Sequence, residues 1–110
     1  MIKSYKYIRP SQKRLYDLSY HLMNNSSLRL KAKVAKLVKI IPERYNYEVI
    51  FTKRRIWFVK ADEKLIQLMV GEQRIYFKVK TNSDWLEIIL HDWEDFERIF
   101  RIIKSQTWYL

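Results

Sequence analysis

The chain has 110 residues, 48% of them hydrophobic and 15% aromatic, a composition that builds a core and excludes wholesale disorder. One Gly, two Pro and no Cys exclude collagen-like and linker-like chains, a disulfide scaffold, a zinc finger and a cysteine nucleophile. The net charge of +10 is uneven: residues 1–60 hold fifteen basic and three acidic residues, a net of +12, while residues 61–110 hold seven basic and nine acidic, a net of −2.

In chain order, residues 1–9 mix Tyr5, Tyr7 and Ile8 with Lys3, Lys6 and Arg9, and read as a short edge strand or arm. Pro10 ends it, and Ser11 is a plausible cap for a helix whose apolar positions are Leu15, Leu18, Leu22 and Met23. Asn24-Asn25-Ser26-Ser27 breaks that periodicity and offers the next helix a cap. The next helix runs from about Leu28 to Ile41, with Leu30, Val34, Leu37, Val38 and Ile41 on one stripe and Arg29, Lys33, Lys36 and Lys39 opposite. Pro42 is expected to end it, because the residue before a proline avoids helical angles. A short polar turn makes the two helices antiparallel neighbours.

From Tyr45 to Leu90 the pattern turns to period two and short apolar runs, and five strands are expected: Tyr47 to Phe51, Ile56 to Val59, Leu65 to Val70, Arg74 to Lys80 and Trp85 to Leu90. The turns between them are Lys53-Arg54-Arg55, Ala61-Asp62-Glu63-Lys64, Gly71-Glu72-Gln73 and Thr81-Asn82-Ser83-Asp84. Short connections imply an antiparallel meander. A last helix is expected with Asp92 as its cap, Glu94, Asp95 and Glu97 early and Arg98, Arg101 and Lys104 late, as the helix dipole favours. Trp93, Phe96, Ile99, Phe100 and Ile103 form its apolar stripe, and the tail Thr107-Trp108-Tyr109-Leu110 is apolar enough to dock. The expected fold is therefore α+β, one domain over 1–110: two N-terminal helices, a mostly antiparallel sheet of four or five strands, and a C-terminal helix packed on the sheet.

Catalytic chemistry finds little footing in these residues. His21 and His91 lack metal-ligand spacing, and each reads as a surface or helix-end histidine. A metal nuclease needs an acid pair beside a lysine; Asp62-Glu63-Lys64 has the types but sits in a turn, and Glu87 reads as a solvent-facing strand residue. No serine stands in a glycine-flanked elbow, and a single glycine, Gly71, cannot build a phosphate-cradling loop. No catalytic residue, metal or cofactor is expected.

Basic and aromatic residues carry the functional expectation, since Lys and Arg contact phosphates and neighbouring rings stack on bases. One group is N-terminal: Lys3, Tyr5, Lys6, Tyr7, Arg9, Lys13 and Arg14. The second is Lys53-Arg54-Arg55 with Trp57, and the third is the strand face Arg74, Tyr76, Lys78, Lys80, a cationic sheet surface if no helix covers it. The fourth is the basic side of the second helix, Arg29, Lys33, Lys36 and Lys39, whose all-aliphatic stripe lacks the Trp or Phe that favours bilayer insertion. The reading is a small basic, non-enzymatic nucleic-acid-binding protein, DNA or RNA, in the cytoplasm, acting through Arg29, Lys33, Lys36, Lys39, Lys53, Arg54, Arg55, Trp57, Lys78 and Lys80. Alternatives are a protein-interaction or regulatory subunit, including a homodimer, and a metal-independent ribonuclease. No membrane role is expected: no apolar run is long enough to span, and no signal core follows the N-terminal charges. Over about residues 3–80 the element order resembles that of ribosome-dependent ribonuclease toxins. The resemblance is one of element order alone, carries over no site residue, and leaves out the fifth strand and last helix.

Overall fold

A computed structural model describes residues 16–81, 84–91 and 96–106. The expectations at Ser11, in the N-terminal basic–aromatic group, at Asn82-Ser83, over Asp92–Asp95 and in the tail fall outside those residues. The described chain is α+β: α1 (Leu18–Leu22), α2 (Leu28–Tyr45), β1 (Glu48–Phe51), β2 (Ile56–Lys60), β3 (Glu63–Val70), β4 (Arg74–Lys80), β5 (Trp85–His91) and α3 (Glu97–Gln106). The strands form one antiparallel sheet in the order β1-β2-β3-β4-β5.

The α1–α2 turn is fixed at both ends. Asp17 caps α1 by accepting from the Tyr20 amide at 3.1 Å, and Ser27 caps α2 by accepting from the Leu30 amide at 3.1 Å. Buried Asn25 donates from Nδ2 to the Gly71 carbonyl at 2.7 Å, and Ser26 donates its amide to the Glu72 carbonyl at 2.8 Å. The turn is thereby pinned to the β3–β4 turn, where Gly71 is required by crowding. A Cβ there would lie 2.9 Å from the Arg74 carbonyl oxygen. Met23, expected in the apolar stripe of the first helix, is instead 79% exposed, because α1 ends at Leu22.

The stripe of α2 is buried as its spacing predicts: Leu30, Val34, Leu37, Val38 and Ile41. Its end is not where Pro42 predicts. The helix continues through Pro42 to Tyr45 and stops at Asn46, which takes the left-handed conformation at φ 61°. Tertiary contact outweighs the proline: the extra turn stacks Tyr45 on Phe100, ring centroids 6.4 Å apart, and sets the Arg44 guanidinium 5.9 Å from the Phe100 ring centre.

Alternation gives the sheet two distinct faces. Val49, Phe51, Ile56, Phe58, Ile66, Leu68, Val70, Ile75, Phe77, Val79, Ile88 and Leu90 form one buried cluster with the α2 stripe and with Phe96, Ile99 and Ile103. Phe100, expected to be largely buried, is only half-buried and packs at the margin of that cluster. The β2–β3 connection is also shorter than expected. Glu63 and Lys64 belong to β3, so only Ala61 and Asp62 turn the chain, both left-handed at φ 52° and 63°. That is a two-residue hairpin turn of the kind usually made by Asn-Gly, and alanine there gives no sequence signal.

Candidate functional site

The second face of the sheet is built by register. Trp57 on β2 pairs with Gln67 on β3, Gln67 with Lys78 on β4, and Lys78 with Glu87 on β5. The row to one side holds Met69, Tyr76 and Ile89, and the row to the other holds Lys80 and Trp85. The two tryptophans converge over the strands between them, with ring centroids 6.4 Å apart and planes at 65°. The buried residues of α2 and α3 lie in the cluster on the opposite side of the sheet, and Leu18 and Leu22 of α1 pack against that cluster.

Cations surround the rings. Lys64 Nζ lies 4.7 Å from the Trp57 ring centre, and the Arg74 guanidinium lies 6.0 Å from that of Tyr76. Arg55 donates from Nε to Gln67 Oε1 at 2.6 Å, which fixes its planar head over the middle of the sheet. Lys78 and Lys80 reach Glu87 and Glu63 at 4.0 and 3.8 Å. Both ion pairs are solvent-exposed, so each is worth no more than about 1 kcal/mol and exchanges readily for another anion.

The basic turn between β1 and β2 is held from below by α1. Thr52 donates its amide and its hydroxyl to the Arg55 carbonyl at 2.9 and 3.0 Å. The Thr52 carbonyl accepts from His21 Nε2 at 2.8 Å. His21, expected at the surface or at a helix end, is buried with 1% exposure, because its ring fills the space between α1 and Phe51. Burial holds its pKa below the usual imidazole value, against the opposing Thr52 hydrogen bond and the Asp17 charge.

The ten residues singled out from the sequence fall into three places. Trp57, Lys78, Lys80 and Arg55 share the open sheet face. Lys53 and Arg54 are exposed in the β1–β2 turn at its end. Arg29, Lys33, Lys36 and Lys39 lie on α2, whose stripe faces the opposite side of the sheet. There Lys33 Nζ sits 5.1 Å from the Phe96 ring centre, and Lys33 and Lys36 line a groove with Leu37, Phe96, Glu97 and Phe100. The sequence reading missed Lys64, assigned to a turn, and the partnership of Trp85 with Trp57, which depends on strand register. Glu87 is exposed on its strand, as expected.

Among the described residues, no group of three or more His, Asp or Glu could hold a metal ion, and no helix is long and apolar enough to cross a membrane. Comparison with protein-family models, with curated proteins and with solved structures returns no match.

Proposed function

We propose that the protein binds nucleic acid through phosphate contacts, by binding rather than catalysis, with the open sheet face as the contact surface. One observation carries the proposal: Arg55, Lys64, Arg74, Lys78 and Lys80 gather on a single face around Trp57, Tyr76 and Trp85. Among the described elements, the C-terminal helix and the N-terminal pair cover one side of the sheet and leave the other to the ligand. The cations of α2 add long-range attraction to a polyanion, and Lys53 and Arg54 extend the basic surface at the end of the sheet. The compartment proposed for this binding is the cytoplasm.

The test is a fluorescence-anisotropy titration with labelled DNA and RNA at low and moderate salt. About four or five phosphate contacts give a slope of log K on log salt near −3 for single strands and −4 for duplex. Raising salt from about 50 to 200 mM then weakens binding by roughly two orders of magnitude. No binding at micromolar protein and low salt defeats the proposal. Cleavage of the RNA in chelator would move the reading to a metal-independent ribonuclease.

A second reading, an interface with another protein or a second copy, is favoured by β5. This edge strand of the described sheet leaves Trp85, Leu86 and Ile89 37%, 44% and 38% exposed and carries one acidic residue, Glu87. Concentration-dependent sedimentation in the absence of nucleic acid would support it.

A further inference from the structure

We infer that the open face takes single-stranded nucleic acid, with unpaired bases stacked on Tyr76 and on the Trp57–Trp85 pair. This deepens the nucleic-acid reading and rests on it.

Width decides against a duplex. Five strands about 4.8 Å apart make a surface roughly 19 Å across, whereas the major groove admits about 12 Å. A helix or a two-stranded ribbon enters that groove; the middle of a five-stranded sheet does not. Tyr76 lies on β4 and Trp57 on β2, both inside the sheet, so neither ring reaches a base that remains stacked within a duplex. A single strand has no such limit, because its bases splay out and lie flat on the face.

Spacing and charge fit the same ligand. Alternate positions along a strand are about 7 Å apart, so Tyr76 lies one row to one side of Lys78, and Lys80 with Trp85 one row to the other. Each stacking position has a cation beside it: Arg74 at Tyr76, and Lys64 at Trp57. A base on the ring and a phosphate on the neighbouring cation is the pairing that sequence-tolerant single-strand binding requires. Gln67 lies between the two aromatic positions with its carbonyl engaged by Arg55, which holds a guanidinium plane where a third base would lie.

The experiment compares oligo-dT, oligo-U and a duplex of equal length, at one salt concentration, on the full chain. Intrinsic tryptophan fluorescence is read alongside anisotropy. We expect one or both single strands to bind more tightly than the duplex and to quench the fluorescence. Trp85→Leu, at an exposed position, should weaken single-strand binding by roughly 5- to 100-fold with little change in salt slope. Tyr76→Leu serves as the second variant, and Leu86→Ala, on the other face, as the control; circular dichroism checks that each is folded. Duplex binding equal to single-strand binding, with Trp85→Leu and Tyr76→Leu unaffected, overturns the stacking inference and leaves the charge-driven reading standing. Absence of binding to all three probes overturns both. Tighter binding of either single strand than of the duplex supports the inference, and oligo-U against oligo-dU, which differ in the 2′-hydroxyl alone, assigns the sugar.

Discussion

A buried histidine beneath a basic turn links local packing to pH. His21 Nε2 donates to the Thr52 carbonyl, so the neutral ring carries its proton on Nε2, and an added proton must go on Nδ1 within a buried environment. Burial lowers its pKa from the unfolded value of 6.5, so the folded state favours the neutral ring. The associated stability is therefore fully present above about 6.5 and is lost as pH falls through the lower folded value. Urea unfolding at steps between about pH 7.5 and 5.5 should show stability declining toward the acid end, by at most about 1.4 kcal/mol per pH unit for one proton. His21→Gln should flatten that decline. A flat profile for the parent protein would mean that the ring accepts its second proton without cost. Residues of this kind were not legible as core from the sequence. Helical spacing places His21 on α1 but says nothing of the Thr52 carbonyl that receives its N–H. In the same way, Ala61 and Asp62 make a left-handed turn without the Asn or Gly that would announce it.

Secondary-structure elements were legible where side-chain periodicity met burial on one face only. The ends of β4 are those expected, because Ile75, Phe77 and Val79 alternate with Arg74, Tyr76, Lys78 and Lys80 without interruption. The start of β3 was not, because Glu63 and Lys64 are polar on both faces and the hairpin turn before them is tighter than their composition suggests. Helix α2 passes Pro42 because backbone preference near a proline competes with packing on Phe100, and the packing prevails. The same contact sets an unequal dependence of the fold on the two sides of α3. Ile103 is fully buried in the central cluster, while Phe100 lies half-buried between Tyr45 and Arg44. Ile103→Ala should cost about 2–5 kcal/mol, as a fully buried aliphatic truncation does. Phe100→Ala should stay below the roughly 3–5 kcal/mol typical of a buried aromatic. Chemical denaturation of both variants checks the order, and a larger loss at Phe100 would show that the α2–α3 contact, rather than the cluster beneath it, holds the helix.

For the whole molecule, two groups of cations among the described residues lie on opposite sides of the sheet, which the linear sequence does not reveal. Arg29, Lys36 and Lys39 are exposed along α2, on the helical side of the sheet. Lys64, Lys78 and Lys80 lie with the rings on the open side. Reading each strand's alternation separately shows which residues share a face of that strand. Only strand order and register show that β2, β4 and β5 bring their rings to the same face. A ligand that uses the open side should distinguish two sets of reversals that change net charge equally. Arg29→Glu/Lys36→Glu/Lys39→Glu lowers the general attraction and should slow association while leaving the salt slope near that of the parent. Lys64→Glu/Lys78→Glu/Lys80→Glu removes phosphate partners and places three new carboxylates beside Glu63 and Glu87. The slope on log salt should then fall by about 2 for a single strand, since each lost contact contributes about 0.7. Oligonucleotide titrations across a salt series measure both sets. If the two triple variants lose affinity and slope alike, binding follows net charge without regard to surface, and the open face has no privileged role. If only the α2 variant loses slope, the phosphates run along the helix and the aromatic sheet serves another partner.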